Sequence, residues 1–285
     1  MMFEHKSLPY PSWPWFWILP LFCRTKRRVN KSSYFFLFLY SILNCKLLIN
    51  SSPMKNILQL LKNLLSLFYP RNCPSCQSVL KQHESHICLN CLIHLPETNY
   101  HLQDTNPLTD IFRGRVKIEH AASLLFYKKG NQVQHILHHL KYKGLQELGV
   151  FFGDYYGKKL SESVKYAEID MIIPIPLHPK KLKMRGYNQS EALAQGLSQG
   201  MTKPHYANIL VRESFTQTQT KKSRFNRWEN VRDVFKVTDY EQIKGKKILL
   251  CDDVLTTGAT IEAAAQELLN AEEVKIYVIT LAAAH

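Results

Sequence analysis

Acidic side chains are scarce in this chain: 23 Asp and Glu stand against 37 Lys and Arg, for a formal net charge of +14. That balance suits a polyphosphate substrate or nucleic acid and serves solubility equally well, so charge alone selects no function. Long apolar runs are also lacking. The run Tyr34 to Leu43 is about half the ~20 residues that a membrane-spanning helix needs, and Asn44 and Lys46 stop its extension. No basic region opens the chain ahead of an apolar core and a small-residue cleavage site, so a secretory leader is not recognisable. Internal repeats and low-complexity tracts are missing, which excludes a repeat architecture. The remaining composition, 45% hydrophobic and 21% charged over 285 residues, is that of a soluble globular protein. The length fits one large domain, or a medium domain plus a small one. A cytoplasmic protein with no transmembrane segment is the expectation.

Residues 1–53 differ from the rest. They hold seven Lys or Arg and one acid, a net of +6, together with Trp13, Trp15 and Trp17. Met54 then opens a stretch with helical apolar spacing at Ile57, Leu60, Leu61, Leu64 and Leu65. The expectation is that translation starts at Met54 and that 1–53 is a spurious or disordered leader. A membrane-surface anchor is the alternative, because aromatic and basic residues favour interfaces. The expected divisions are 1–53 as leader, 54–110 as a helix plus a metal ribbon, and 111–285 as the main domain.

The most informative run is Ile248-Leu-Leu-Cys-Asp-Asp-Val-Leu-Thr-Thr-Gly-Ala-Thr260. Four apolar residues make a buried-strand signal, two carboxylates follow, and a small, hydroxylated turn leads into a helix. Backbone N–H groups from Thr256 to Thr260 at a helix start can cradle a phosphate, and Gly258 lets the backbone approach closely. Asp252 and Asp253 can accept hydrogen bonds from vicinal sugar hydroxyls. Neighbouring strand residues face opposite ways, so both can share one ligand only if the strand stops there. The run resembles the phosphoribosyl diphosphate (PRPP) signature of type I phosphoribosyltransferases. That resemblance puts Asp252, Asp253, Val254, Leu255, Thr256, Thr257, Gly258, Ala259 and Thr260 at a PRPP site. The competing reading is an ordinary strand–turn–helix with surface acids.

Four of seven cysteines form Cys73-x2-Cys76-x11-Cys88-x2-Cys91. Paired knuckles at this spacing read as a zinc ribbon, and four thiolates leave zinc no open position, so the metal would be structural. Disulfides are the alternative. His83, His86 and His94 lie close enough to replace a ligand, although spacing favours the cysteines. A ribbon this small would draw its folding energy from the metal. It reads as a docking or nucleic-acid module, or as a subdomain packed on its neighbour.

Beyond a polar linker near 97–110, strand and helix signals alternate. Strands are expected at 121–127, 169–175, 248–251 and 274–281. Helical spacing appears at Val133, Ile136, Leu137 and Leu140, at Leu148, Phe151, Phe152 and Tyr155, over 189–199, and at Ile261, Ala264, Ala265, Leu268 and Leu269. Such alternation implies an α/β fold with a parallel sheet flanked by helices and ligands at the strands' C-terminal ends. At one strand exit three prolines precede Lys180, Lys181, Lys183 and Arg185, cations suited to a diphosphate or to a solvated basic loop. A second basic stretch, 210–235, carries Arg212 and Arg227 and reads as a mobile lid.

Taken together these segments resemble the ComF family, competence-associated and phosphoribosyltransferase-like. The matching pieces are the cysteine knuckles, Leu140-Lys-Tyr-Lys-Gly144, the Pro174-x-Pro-Leu-His-Pro…Arg-Gly-Tyr-Asn-Gln-Ser190 run, Arg212-x3-Thr216-x2-Gln219, Arg227-x2-Asn230 and Asp252-Asp253-x2-Thr-Thr-Gly258. The resemblance runs from about residue 66 onward. It implies a type I phosphoribosyltransferase fold with an N-terminal zinc ribbon, and a link to DNA uptake.

Three functions are compatible with it. An enzyme would transfer phosphoribosyl from PRPP, with Asp252 and Asp253 holding the ribose and opposing positive charge at the sugar. Lys180, Lys181, Arg185, Arg212 and Arg227 would serve the diphosphate beside Mg²⁺, which keeps mostly phosphate and water ligands. A binding module would handle single-stranded DNA or dock to an uptake helicase through Lys141, Lys143, Lys180–Arg185 and Lys221–Arg227. A PRPP sensor would use the same pocket without turnover. No motif selects an acceptor.

Overall fold

The computed structural model describes residues 70–213 and 234–284, together with Leu60 and Leu64. The expected leader and most of the Met54 helix fall outside the described residues, as does Arg227. The chain from Pro70 onward is one compact unit.

In chain order the elements are α1 (Leu89–Ile93), α2 (Pro107–Asp110), β1 (His120–Tyr127), α3 (Gln132–Tyr142), α4 (Gln146–Ser161), α5 (Val164–Ala167) and β2 (Met171–Pro174). There follow α6 (Pro179–Arg185), α7 (Gln189–Met201), β3 (Leu210–Glu213), β4 (Val234–Val237), β5 (Lys247–Leu255), α8 (Ala259–Leu268) and β6 (Lys275–Ala284). β1, β6, β5 and β2 form, in that spatial order, a wholly parallel sheet. Each strand is nearly solid with apolar residues because both its faces are covered, as Ile248, Leu249, Leu250 and Cys251 illustrate with no measurable exposure. β3 and β4 pair antiparallel in a second small sheet. The stretch read as a loop over 210–235 therefore begins and ends on strands, since Leu210, Phe235 and Val237 are buried.

Helices follow the apolar periods closely. All four expected positions of α3 are buried, and Asn131 caps its start by accepting from Gln134 N. The face of α4 differs from the expectation. Phe151 and Tyr155 are only half-buried, and the covered stripe is Leu148, Gly149, Phe152, Gly153, Tyr156, Gly157 and Leu160. Gly153 and Gly157 meet α7 backbone to backbone. A Cβ on Gly153 would lie 2.8 Å from Gly196 Cα, and one on Gly196 would lie 2.7 Å from Asp154 N. The two helices can touch only because these side chains are absent. α7 in turn delivers Ser190, in its first turn, to the C-terminal end of β5.

Candidate functional site

β5 does not stop at its carboxylates. It runs on to Leu255, with Asp252 opposite Thr280, Val254 opposite Ala282 and Leu255 opposite Ala283. The long neighbour β6 supplies partners as far as Ala284, which keeps β5 extended through the acid pair. The two acids accordingly meet different helices. Asp252 Oδ1 accepts from Ser190 Oγ on α7 at 2.7 Å and from the N–H of Asp253 at 2.8 Å. Asp253 Oδ2 lies 3.1 Å from Lys141 Nζ at the end of α3. Burial, reinforced by the charge on Asp253, pushes the Asp252 carboxyl up to about 7, against the pull of Ser190, the Asp253 N–H and Lys141.

Past Leu255, whose side chain belongs to the core, the chain turns through exposed Thr256 and Thr257 into α8, with Ala259 and Thr260 also exposed. Gly258 is the N-cap at φ 78°, and no side chain caps the helix start. A Cβ at Gly258 would sit 2.9 Å from Phe112 Cε1 and 3.1 Å from Ile111 Cγ2. Arg115 braces the turn from below: Nη1 donates to Thr257 O at 3.0 Å, and the same guanidinium pairs with Glu262 in the first turn of α8. The result is a solvent-facing helix N-terminus one turn beyond two carboxylates, an arrangement able to hold a phosphate and a polyol together.

The basic run is ordered as a short helix rather than a loop. His178 caps α6 by accepting from Lys180 N, and Gly186 at φ 85° closes it. Lys180 and Lys181 are exposed, and among the described residues their side chains meet no partner. Arg185 turns inward, donating to Gln189 Oε1 at 2.6 Å and lying 5.7 Å over the Tyr142 ring. Tyr187 OH donates to Leu140 O, tying α3 to this run beside Lys141. Arg212 lies 5.4 Å over Phe235 within the small sheet. So the acid pair, the Thr-Gly turn, Ser190 and Lys141 converge. Arg185 approaches through Tyr142, Lys180 and Lys181 stand on the exposed face of α6, and Arg227 is outside the described residues. Sequence reasoning missed Ser190 as a partner of Asp252 and Arg115 as a brace. The 174–190 run could have indicated the first, whereas nothing local marks the second.

In the segment ahead of β1 the Sγ atoms of Cys73, Cys76, Cys88 and Cys91 all lie within 4.8 Å of one another. Cys76 and Cys88 Sγ are 3.7 Å apart, close to the ~3.8 Å edge of a tetrahedron with ~2.3 Å metal–sulfur bonds and far from the ~2 Å of a disulfide. Glu84 shapes the turn between knuckles by accepting from Lys81 N and Leu89 N. These residues fit a four-coordinate soft cation. Two surface cavities of 550 and 640 Å³ flank this part of the molecule, the first beside Ile93 and Tyr155 and the second beside His86 and Phe151. Neither is lined by the acid pair; the second also carries polar side chains from Gln146, Glu147, Asp154, Gln195 and Gln199.

The phosphoribosyl transferase domain family matches residues 184–285, the segment that contains Ser190, the acid pair and the Thr-Gly turn. Competence protein F of Haemophilus influenzae is 33% identical over 111 residues, 38% of this chain and 48% of that protein. Competence protein ComFC of Bacillus subtilis is 27% identical over 199 residues, 70% of this chain and 78% of that one. These findings support a ComF-family, phosphoribosyltransferase-like protein. DNA utilization protein YhgH of Escherichia coli adds 33% identity over 101 residues, 35% of this chain and 44% of the relative. The chain thus spans about half the length of several curated relatives it matches.

Proposed function

We propose that the acid pair and the adjoining turn bind PRPP with Mg²⁺, and that the site transfers phosphoribosyl to an acceptor. One observation carries this reading: two carboxylates at the C-terminal end of a central parallel strand lead directly into an uncapped helix start built on Gly258. The first turn of α8 would take the 5′-phosphate, converting affinity into orientation. Asp252 and Asp253 would accept from the ribose hydroxyls. As the bond from the sugar carbon to diphosphate breaks, their charge would oppose the positive charge that develops. Mg²⁺, when bound, would supply charge against the diphosphate, and Arg185, which lies over Tyr142 beside Lys141, would offer that group a forked donor. The cysteine set would hold zinc as a structural support.

Incubation with PRPP, Mg²⁺ and a panel of nucleobases, ammonia and glutamine tests catalysis. Release of diphosphate that depends on one acceptor supports an enzyme. Tight PRPP binding without release under every condition supports a sensor or binding module instead.

The second reading is single-stranded DNA handling, or docking to an uptake helicase, in the cytoplasm. It is favoured by the exposed cations of α6 and by the names of the relatives. Among the described residues no helix is long and apolar enough to cross a membrane.

A further inference from the structure

We propose that Lys141 selects the ligand of the acid pair: it neutralises Asp253 while the site waits and moves to an anionic oxygen at the sugar's C1 position when ligand arrives. The inference rests on the sugar-phosphate reading above and names a residue that reading leaves idle. Lys141 Nζ stands 3.1 Å from Asp253 Oδ2, and the pair is well covered, with 24% and 14% of the two side chains exposed. Vicinal hydroxyls donate to the same carboxylate that Lys141 holds, so a sugar that takes Oδ2 displaces the ammonium from it. A ligand that displaces the ammonium without replacing its counter-charge leaves a covered cation unpaired, which is costly. A ligand bearing diphosphate at C1 brings that counter-charge along. A sugar phosphate with a bare C1 hydroxyl does not.

The surroundings make Lys141 a jointed arm on a fixed base. Leu140 is fully buried, and its carbonyl accepts from Tyr187 OH, which locks the end of α3 to the run carrying Arg185 and Ser190. Arg185 lies over the ring of Tyr142, fixing the next residue as well. The backbone at Lys141 is therefore held on both sides, while its four-carbon stem lets the ammonium change partners. Within this account Lys141 discriminates among sugar phosphates and takes no part in bond making.

Calorimetry with Mg²⁺ on the wild type, Lys141→Met and Lys141→Arg, titrating PRPP and ribose 5-phosphate separately, tests the role. Lys141→Met should lose about tenfold or more in PRPP affinity, the loss expected for one charge-assisted hydrogen bond. The same variant should bind ribose 5-phosphate as well as the wild type or better, because Asp253 is then unoccupied. Lys141→Arg should restore most of the PRPP affinity, a rescue that a packing role would not give. Equal loss for both ligands, no loss for either, or no rescue by arginine overturns the proposal and leaves the PRPP reading standing. A wild type that binds neither ligand removes the reading and the proposal together. Lys141→Gln is the second neutral variant; if both neutral variants unfold, Lys141 is a structural cation and the proposal fails.

Discussion

The cysteine cluster and the acid pair solve opposite problems with like charges. In the cluster four sulfurs stand within 4.8 Å of one another, and Cys73, Cys88 and Cys91 are buried, so the set is closed to solvent on most sides. A cation held by all four as thiolates would satisfy such a set and would leave no position for a substrate. In the acid pair two adjacent carboxylates also crowd each other, but each has only a partial answer, Ser190 for Asp252 and Lys141 for Asp253. Their neighbour, the turn from Thr256 to Thr260, is largely exposed. A closed set of like charges reads as scaffold, and an open, under-compensated one as a place where something binds.

The largest effect should come from breaking the closed set. Zinc should be present at one equivalent per chain by elemental analysis, and Cys73→Ser or Cys88→Ser should lose it together with the fold of the ribbon. The cost is a sizeable part of the ~10 kcal/mol or more that structural zinc supplies. A metal-free chain that melts like the wild type would show the comparison to be mistaken.

Next in size is Gly258→Ala. The new methyl meets Phe112 and must adopt φ near 78°, so the turn should shift and PRPP affinity should drop by at least about tenfold. Stability should fall by only about 1–3 kcal/mol. Zinc content should not change, and a fall in zinc would join two regions that the account keeps apart.

A smaller effect of opposite sign is expected for Asp252→Asn. Asp252 titrates at about 7 in the fold, raised first by burial and then by Asp253. Its folded value lies above its unfolded one, so the folded chain binds the extra proton between about pH 4 and 7. Stability is therefore lost as pH rises through that window, and the full cost stands above it. Asparagine keeps the acceptor oxygen for Ser190 and removes the charge. The variant should match the wild type near pH 4 and melt a few degrees higher at pH 8, on the order of 1–2 kcal/mol. Equal melting temperatures at pH 8 would mean that the pair is well compensated and not poised.

The smallest and most salt-dependent effect concerns DNA. Lys180→Ala, Lys181→Ala and Lys183→Ala combined should weaken single-stranded oligonucleotide binding and flatten its salt slope by roughly two to three charge equivalents. Because α6 is exposed, PRPP affinity should change little. Absence of oligonucleotide binding at low salt would remove direct DNA contact and leave protein docking as the route to a DNA-linked role.

Much of this was legible in the sequence, for physical reasons that differ from place to place. The parallel strands were readable because burial on both faces forces solid apolar runs, as at Ile248–Cys251. The start of α7 at residue 189 was readable, and Asn188 caps it. The face of α4 was misread because glycines carry its closest contact, and a hydrophobic count gives no weight to Gly153 or Gly157. The end of β5 was misplaced because acids look like strand terminators until β6 is known to pair beside them. Lys141 was read as a DNA contact, since its pairing with Asp253 spans a long sequence separation that no local pattern carries. Arg115, bracing Thr257 across a similar separation, left no signal at all.

The central claim, that the open acid pair is a PRPP site, is met most directly by titrating PRPP with Mg²⁺ into the wild type and into the double variant Asp252→Asn, Asp253→Asn at pH 8. The account predicts saturable binding by the wild type and none by the variant, with zinc content unchanged and the fold intact by circular dichroism. A folded, zinc-replete double variant that binds PRPP as the wild type does would contradict it.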